Sequence, residues 1–412
     1  MSRRVVVTGI GPLTPIGTGK NQFWDALRAG QSGVRRVDNL VDLSAIDVLI
    51  GAPVLDFDPL NYMEPRRVRR ISRVTQFALA AASLAFNDAD LELSTVDRKR
   101  IGVVVGTGIG GLETMERNFT ALSNKGPRQV SPFLVPQLMP NAVAAQIAIE
   151  HGLQGANFGV SSACASSAHA IGIASELVRA GFLDSAVSGG AESVLLRIVY
   201  AGFSQMGAIS KRNDEPERAS RPFDRDRDGF VIGEGAGILI LEEYQHALAR
   251  QAHIYGELIG FGMSADAEHI TAPAEGGRGA AQAVSIALAR ANIPAQAVDY
   301  INAHGTSTIL NDKAETEAIK IVFGKGAYNV KISSTKSQIG HLLGAAGSVE
   351  AIATLLSMQN DYIPATLNYE HPDPECDLDY TPKAVSTPIK VALCNSFGFG
   401  GQNAALVFRK TD

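Results

Sequence analysis

The chain has 412 residues, 45% of them hydrophobic and 19% charged, a globular composition and not a disordered one. Its 37 Lys and Arg against 42 Asp and Glu leave a net charge of −5, which excludes a polyanion binder as a whole and leaves only a local basic patch. Three Cys cannot build a disulfide framework, and no apolar run reaches the ~18 residues of a membrane span, Glu350 interrupting the nearest one at Gly344–Met358. A cytoplasmic enzyme with no nucleic-acid or membrane partner is the expectation.

Short β-branched runs alternate with Ala-rich stretches. Arg4–Thr8, Arg100–Val105, Ser185–Ser188 and Gly237–Leu241 read as buried strands, as do Val298–Asn302, Lys331–Ser333, Lys390–Leu393 and Ala404–Phe408. Helical spacing marks Asn21–Ala29, Thr75–Asp88, Val143–His151, Ser166–Ala180, Gly279–Ala291, Asp312–Phe323 and Ser348–Met358. The alternation predicts βαβ units and a largely parallel sheet. A charged stretch, Ser210–Asp228, breaks the chain, and a new strand series begins after Ala252. Two units follow from this, 1–250 and 251–412. No exact repeat is visible.

Two motifs mislead. Gly106-Thr-Gly108-Ile-Gly-Gly111 follows a strand and fits the dinucleotide-binding pattern, but no acidic residue lies in 125–133, where the ribose partner belongs. It reads as a structural turn. Asp224-Arg-Asp226-Arg-Asp228-Gly229 resembles the start of a calcium loop, yet position twelve is Gly235 and two Arg separate the acids. It reads as a salt-bridged loop. No Cys/His cluster has zinc spacing.

Cys164 lies among small residues, Ser161-Ser-Ala-Cys164-Ala-Ser-Ser-Ala-His169, at the start of a helical run. A helix dipole there favours the thiolate, and small neighbours admit a substrate; a buried inert thiol is the competing reading. Two His motifs, Asn302-Ala-His304-Gly-Thr306-Ser-Thr308 and Lys336-Ser-Gln-Ile-Gly-His341, each follow a strand, where parallel α/β folds place sites. The Gly-rich turn Cys394-Asn-Ser-Phe397-Gly-Phe399-Gly400-Gly401-Gln-Asn403 can aim backbone N–H groups at one point, an arrangement suited to an oxyanion hole.

With these motifs in this order, the chain resembles the β-ketoacyl-ACP synthases of type II fatty acid synthesis, of KAS II and KAS I type (ACP, acyl carrier protein). Ser220-Arg-Pro-Phe-Asp, Gly229-Phe-Val-Ile-Gly-Glu-Gly-Ala-Gly237 and Ser334-Thr-Lys336-Ser extend the match over nearly the whole chain. The resemblance implies an α/β thiolase-like fold, two similar halves in a five-layer α-β-α-β-α sandwich, in a homodimer. The half 1–250 would carry the nucleophilic Cys and the half 251–412 the His pair. The implied reaction is decarboxylative Claisen condensation of acyl-ACP with malonyl-ACP, giving 3-oxoacyl-ACP and CO2 by a ping-pong route through acyl-Cys164. It implies no cofactor and no metal, with substrates carried on the phosphopantetheine of ACP.

Carried over onto this sequence, Cys164 would be the nucleophile and His304 and His341 the decarboxylation pair. Lys336 and Glu315 would form a buried charge pair behind them, and Asp266 matches a further acid of the pattern. Thr306 and Thr308 would bind the phosphopantetheine. Phe399 would gate the pocket and complete the oxyanion hole with the Cys164 amide. Ile109, Phe133 and Phe203 fall at acyl-tunnel positions, and Phe397 at a substrate-binding one. Arg66, Arg67, Arg69, Arg70 and Arg73 put five charges in eight residues, a docking patch for an acidic carrier if they share a helix face. Ile309 replaces the Pro usual after His-Gly-Thr-Ser-Thr, and Gln402 stands where Thr or His is commoner. A thiolase would need a second catalytic Cys near the Gly-rich turn, and an initiating KAS III enzyme would have Asn in place of His341. A ketosynthase of a specialised polyketide or unusual-lipid pathway is the alternative. An acyl-ACP-binding protein without turnover is disfavoured by the intact Cys-His-His set.

Overall fold

A computed structural model describes residues 3–411. Its first half supplies strands β1 (Val5–Thr14), β2 (Ile101–Gly106), β3 (Asn157–Val160), β4 (Ser185–Glu192) and β5 (Gly235–Glu243). The second supplies β6 (Gly256–Ala265), β7 (Tyr300–Asn302), β8 (Lys331–Ser333), β9 (Val391–Gly398) and β10 (Gln402–Arg409). These strands run in the order β3-β2-β4-β5-β1-β6-β10-β9-β7-β8. Each half therefore has the same internal order, so a duplication that no residue repeat reveals is plain in the topology. β1 and β6 join the halves at two residue pairs only, Val6 with Glu257 and Val7 with Gly256.

The sheet is mixed and not largely parallel. β2 pairs in parallel with β3 and β4, and β7 with β8 and β9. β5 and β10 run antiparallel to both of their neighbours. A strand returning by a hairpin needs no crossover helix, and Gly398–Gln402 is such a hairpin.

Helices α1 (Arg73–Ala89) and α2 (Ala142–His151) cover the outer face of the first half. α4 (Arg278–Ala291) and α5 (Ile309–Phe323) cover that of the second. Between the two halves of the sheet lie α3 (Ser166–Arg179) and α6 (Ala346–Asn360), sharing one apolar core with strands of both halves. The result is the five-layer sandwich α-β-α-β-α. All ten residues of β1 are buried, as in a strand covered on both faces, with the Thr8 hydroxyl donating to the buried Glu242 carboxylate.

Glycines set the spacing of the outer layers. A Cβ on Gly9 or Gly11 would stand 2.3 Å from the Ala85 carbonyl oxygen or 2.0 Å from that of Ala81, both in α1. Gly260 and Gly262 of β6 meet α4 in the same way, at 2.3 Å from Ala287 O and 2.0 Å from Ala283 O. Helix backbone thus rests directly on strand backbone at matching places in both halves. Gly11→Ala must push α1 off the sheet, an overpacking worth about 1–3 kcal/mol; a urea midpoint equal to wild type would contradict this contact.

Candidate active site

The turn from β3 into α3 presents Cys164. Ala163, just before it, sits at φ 50°, a left-handed conformation that small neighbours tolerate. Gly106 makes room, since a Cβ there would meet the Ser166 carbonyl carbon at 2.4 Å. The thiol is 6% exposed. The helix start was expected to favour the thiolate, but burial dominates and pushes the thiol up to about 12, with the Lys336 ammonium and the Phe399 N–H opposing it. The resting sulfur therefore holds its proton and needs a neighbour to take it. His341 Nε2 lies 3.0 Å from Sγ.

His341 follows β8 and the short helix Lys336–Ile339. Its backbone N–H donates to Val231 O at 2.7 Å, and its ring packs edge-on against Phe230. Its Nδ1 is buried without a hydrogen-bond partner among the described residues. His304 follows β7, with its ring centroid 5.4 Å from that of His341. Burial holds both imidazoles well below their ordinary range, and the Lys336 charge adds to this. Both are neutral at physiological pH. Lys336 Nζ stands 3.3 Å from His304 Nδ1. An ammonium can only donate, so Nδ1 is the acceptor and the ring hydrogen belongs on Nε2.

The charge pair differs from the expected one. Lys336, 1% exposed, pairs with Glu350 of α6 and not with Glu315. Both Glu315 oxygens are already filled: they accept from the N–H groups of His304 at 2.8 Å and Gly305 at 2.7 Å, and from Asn395 Nδ2 at 3.1 Å. Glu315 thus fixes the His304 loop, and Glu350 neutralises the lysine. Burial raises both carboxyls to about 7. Sequence reading noticed Glu350 only as an interruption of an apolar run. A charged residue inside such a run, on a helix that follows a Lys, was the available signal.

A cavity of about 490 Å³ connects these groups, with Cys164, His304 and His341 joined by Thr306, Thr308, Asp266, Phe397 and Phe399. Thr306 and Thr308 hydroxyls lie 2.8 Å apart, placed by Ser307 at φ 69°. Asp266 accepts from Ala274 N–H at 2.9 Å and Asn403 Nδ2 at 2.7 Å, tying its loop to the glycine turn. That turn has Gly400 and Gly401 at φ 82° and 68°, which aims the Phe399 N–H at the sulfur. Ile109 and Phe203 line the cavity. Phe133 does not: it stands beside Arg70 in a second cavity of about 320 Å³. Ile309 opens α5 behind its Thr308 cap, and its carbonyl accepts from Arg227 at 3.1 Å. A first helical position tolerates Pro or Ile alike, so the departure keeps the loop.

The arginine cluster is not one helix face. Its first helix ends at Val68 and α1 begins at Arg73. Arg67 pairs with Glu150 and Arg73 with Glu234, leaving Arg66, Arg69 and Arg70 exposed. The glycine motif is a structural turn, its Gly108 and Ile109 N–H groups donating to the buried Glu192 carboxylate at 2.7 and 3.3 Å. Glu192, which also accepts from Gly344 N–H at 3.0 Å, is a site-shaping residue that sequence reading missed. The calcium-like loop is salt-bridged, Asp224 to Arg221 at 3.0 Å and Arg227 to Asp373 at 2.5 Å.

Residues 2–247 match the family pattern described as "Beta-ketoacyl synthase, N-terminal domain", and residues 255–370 its "C-terminal domain". The chain is 47% identical over 409 residues to a 3-oxoacyl-[acyl-carrier-protein] synthase 2 of Synechocystis sp., covering 99% of this chain and 98% of that protein. Its identity to the Staphylococcus aureus (strain COL) protein of that name is 44% over 410 residues, with 99% of each covered. Among solved structures, the ishigamide ketosynthase/chain length factor superposes with TM-score 0.94 at 35% identity, covering 100% of both chains. A type II polyketide ketosynthase described in complex with its acyl-carrier protein superposes with TM-score 0.93 at 36% identity, again over 100% of both.

The two buried carboxyls should separate by substitution. Glu350→Gln leaves Lys336 an uncompensated buried cation and costs about 3–5 kcal/mol of stability. Glu315→Gln keeps the ion pair and loosens the His304 loop, so turnover falls more than stability. Urea titrations and steady-state kinetics check this, and the opposite order would restore Glu315 as the lysine's partner.

Proposed function

The chain belongs to the beta-ketoacyl synthase family, and we propose that it condenses acyl-ACP with malonyl-ACP to 3-oxoacyl-ACP and CO2 in fatty acid elongation. The observation that carries this reading is the 3.0 Å contact of His341 Nε2 with Cys164 Sγ, with His304 beside it in one cavity.

Acyl transfer comes first. His341 accepts the thiol proton as sulfur attacks the acyl thioester, and returns it to the departing carrier thiol. The N–H groups of Cys164 and Phe399 hold the tetrahedral oxyanion. Splitting the reaction at this acyl-enzyme replaces one difficult step by two easier ones. Malonyl thioester then loses CO2, and imidazole N–H groups hold the enolate oxygen. Such preorganised donors are worth about 3–4 kcal/mol each. The carbanion attacks the Cys164 thioester, the C–S bond breaks, and the released sulfur regains its proton through His341 from water.

The two histidines are suited to different parts of this cycle. Lys336 locks His304 as an Nε2–H donor. Nothing locks His341, whose Nδ1 has no partner among the described residues. It can accept a proton in the first half and donate a hydrogen bond in the second. Neutral rings, held so by burial, repel no thioester and waste no counter-ion. The reaction balances with these residues, two carrier-bound substrates and one proton from water, and we assign it no cofactor.

We assign Thr306 and Thr308 to the phosphopantetheine and Ile109, Phe203, Phe397 and Phe399 to the acyl chain, a reading supported by their sharing one cavity with Cys164. A homodimer is part of the proposal. Met115, Phe119 and Leu122 form an exposed apolar stripe, and Phe158 stands exposed on edge strand β3. Three unpaired cysteines suit a reducing cytoplasm. No helix among the described residues is long and apolar enough to cross a membrane. The specialised-lipid alternative shares the chemistry, and the choice of acyl donor separates the two.

Incubation with a medium-chain acyl-ACP should add one acyl mass to the protein, and malonyl-ACP should then yield a 3-oxoacyl-ACP two carbons longer. Cys164→Ala should show neither on intact-mass analysis; an adduct surviving that change would displace Cys164 as the nucleophile. For carrier docking, reversing the charge of exposed Arg66, Arg69 and Arg70 should raise KM for carrier-bound substrates several-fold with kcat unchanged. Identical KM values would remove this patch from the carrier interface.

A further inference from the structure

We propose that Glu192 is a positioning residue that sets which acyl chains the enzyme accepts, by holding Ile109 as a fixed wall of the acyl cavity. This rests on the reaction assigned above and names a control of its first half. Glu192 ends β4 and is fully buried. Both of its oxygens are taken by neutral donors from two other segments. Oε2 accepts from the N–H groups of Gly108 at 2.7 Å and Gly344 at 3.0 Å. Oε1 accepts from the Thr107 hydroxyl at 2.9 Å and from the Ile109 N–H at 3.3 Å.

A buried carboxylate is expensive unless it is hydrogen-bonded in this way. Burial raises the carboxyl above its ordinary range, and the four bonds oppose this. A neutral side chain could not do the same work. Only a carboxylate has about four lone-pair sites and no donor of its own, so only it can gather four donors on one point. Two turns converge there. Thr107–Ile109 leaves β2, and Gly344 lies between His341 and α6. They touch backbone to backbone: a Cβ on Gly344 would stand 2.2 Å from the Gly108 nitrogen and 2.6 Å from Glu192 Oε2. Ser161, just ahead of the nucleophile turn, donates its hydroxyl to Gly108 O at 3.2 Å. Gly108, Ile109 and Leu343 line the cavity beside Cys164.

Glutamine at this position would undo one of the four bonds and spare the others. Its carbonyl oxygen can keep the two short bonds to Gly108 and Gly344. Its amide then faces Thr107 and Ile109. The Thr107 hydroxyl can turn and accept, as it already does from the Gly110 N–H at 3.1 Å. The Ile109 N–H can only donate, so it meets another donor and lets go. Its bond is also the longest of the four. Unhooked, Ile109 yields to a chain that the wild-type wall stops.

The two acyl donors to compete for Cys164 are a six-carbon and a fourteen-carbon acyl-ACP, with both adducts read by intact mass. Glu192→Gln should raise the long-to-short adduct ratio by roughly 10-fold, the least that one methylene of room is worth in an apolar pocket. A general loss of packing would slow both donors alike and leave the ratio where it was. Ile109→Ala should raise the ratio too, and adding Glu192→Gln to it should change nothing further, because the wall is already gone. Glu192→Asp keeps the charge but draws it back by one carbon, so the long bond to Ile109 is the first to break. It should shift the ratio in the same direction, and it carries the test if the Gln variant does not fold. An unchanged ratio in the folded variants, or a further shift on the Ile109→Ala background, would overturn the proposal. Wild-type protein that takes no adduct from either donor would overturn the reaction assigned, and this control with it.

Discussion

A lysine ammonium buried between a carboxylate and an imidazole governs the rest of the site. Lys336 is 1% exposed and Glu350 is fully buried, so neither tolerates the loss of the other. The pair joins the strand-end turn after β8 to the central helix α6. It also fixes the hydrogen of His304 and depresses both imidazoles by its charge. The same positive charge pulls on the Cys164 thiol against burial. One buried cation thereby sets the tautomer of one histidine, the neutrality of two, and part of the nucleophile's acidity.

The duplicated topology explains how residues so distant in sequence meet. α3 and α6 occupy equivalent places in the two halves and pack together in the central layer. Cys164 lies just ahead of α3, and His341 just ahead of α6. A turn at the start of each central helix is therefore delivered to the same region, one bringing sulfur and the other imidazole. His304, at the end of β7, arrives from the neighbouring strand.

Much of this was legible in the sequence because burial writes itself in residue type. The apolar runs Val5–Val7 of β1, Val103–Val105 of β2 and Ile238–Leu241 of β5 have no polar face to hide, and the predicted helices from Thr75–Asp88 to Ser348–Met358 match observed ones to within three residues at their ends. The exposed edge strand β3 lacked that signature. The helix Leu112–Lys125 was overlooked although Leu112, Met115, Phe119 and Leu122 recur at helical spacing. At the site, motif residues that touch the cavity could be read, since each lies in a turn that Gly and Ser make recognisable. Their supports could not. Glu192, Glu350 and Asn395 act through contacts set by packing, and the pairing of Lys336 with Glu350 in place of Glu315 turned on which oxygens backbone N–H groups had already taken. The arginine run failed for a related reason: spacing gives neighbours on a helix, and there the chain is not one helix.

The raised thiol is better understood as selectivity than as a defect of activation. A permanently ionised Cys164 would react with any electrophile entering the cavity. A buried, protonated sulfur becomes nucleophilic only when its proton can move, and the acceptor in contact with it is His341 Nε2. That transfer creates charge in an apolar pocket, so it is favourable only as negative charge passes from sulfur to a carbonyl oxygen. The backbone N–H groups at Cys164 and Phe399 are the donors proposed above for that oxygen. Activation and oxyanion stabilisation are then one event, coupled to a correctly seated thioester. In the second half-reaction proposed above the same logic holds, since neutral imidazoles would bind an enolate oxygen more strongly than a ground-state carbonyl because charge develops only there. Burial, which at first sight weakens each group taken alone, makes the set respond to its substrate.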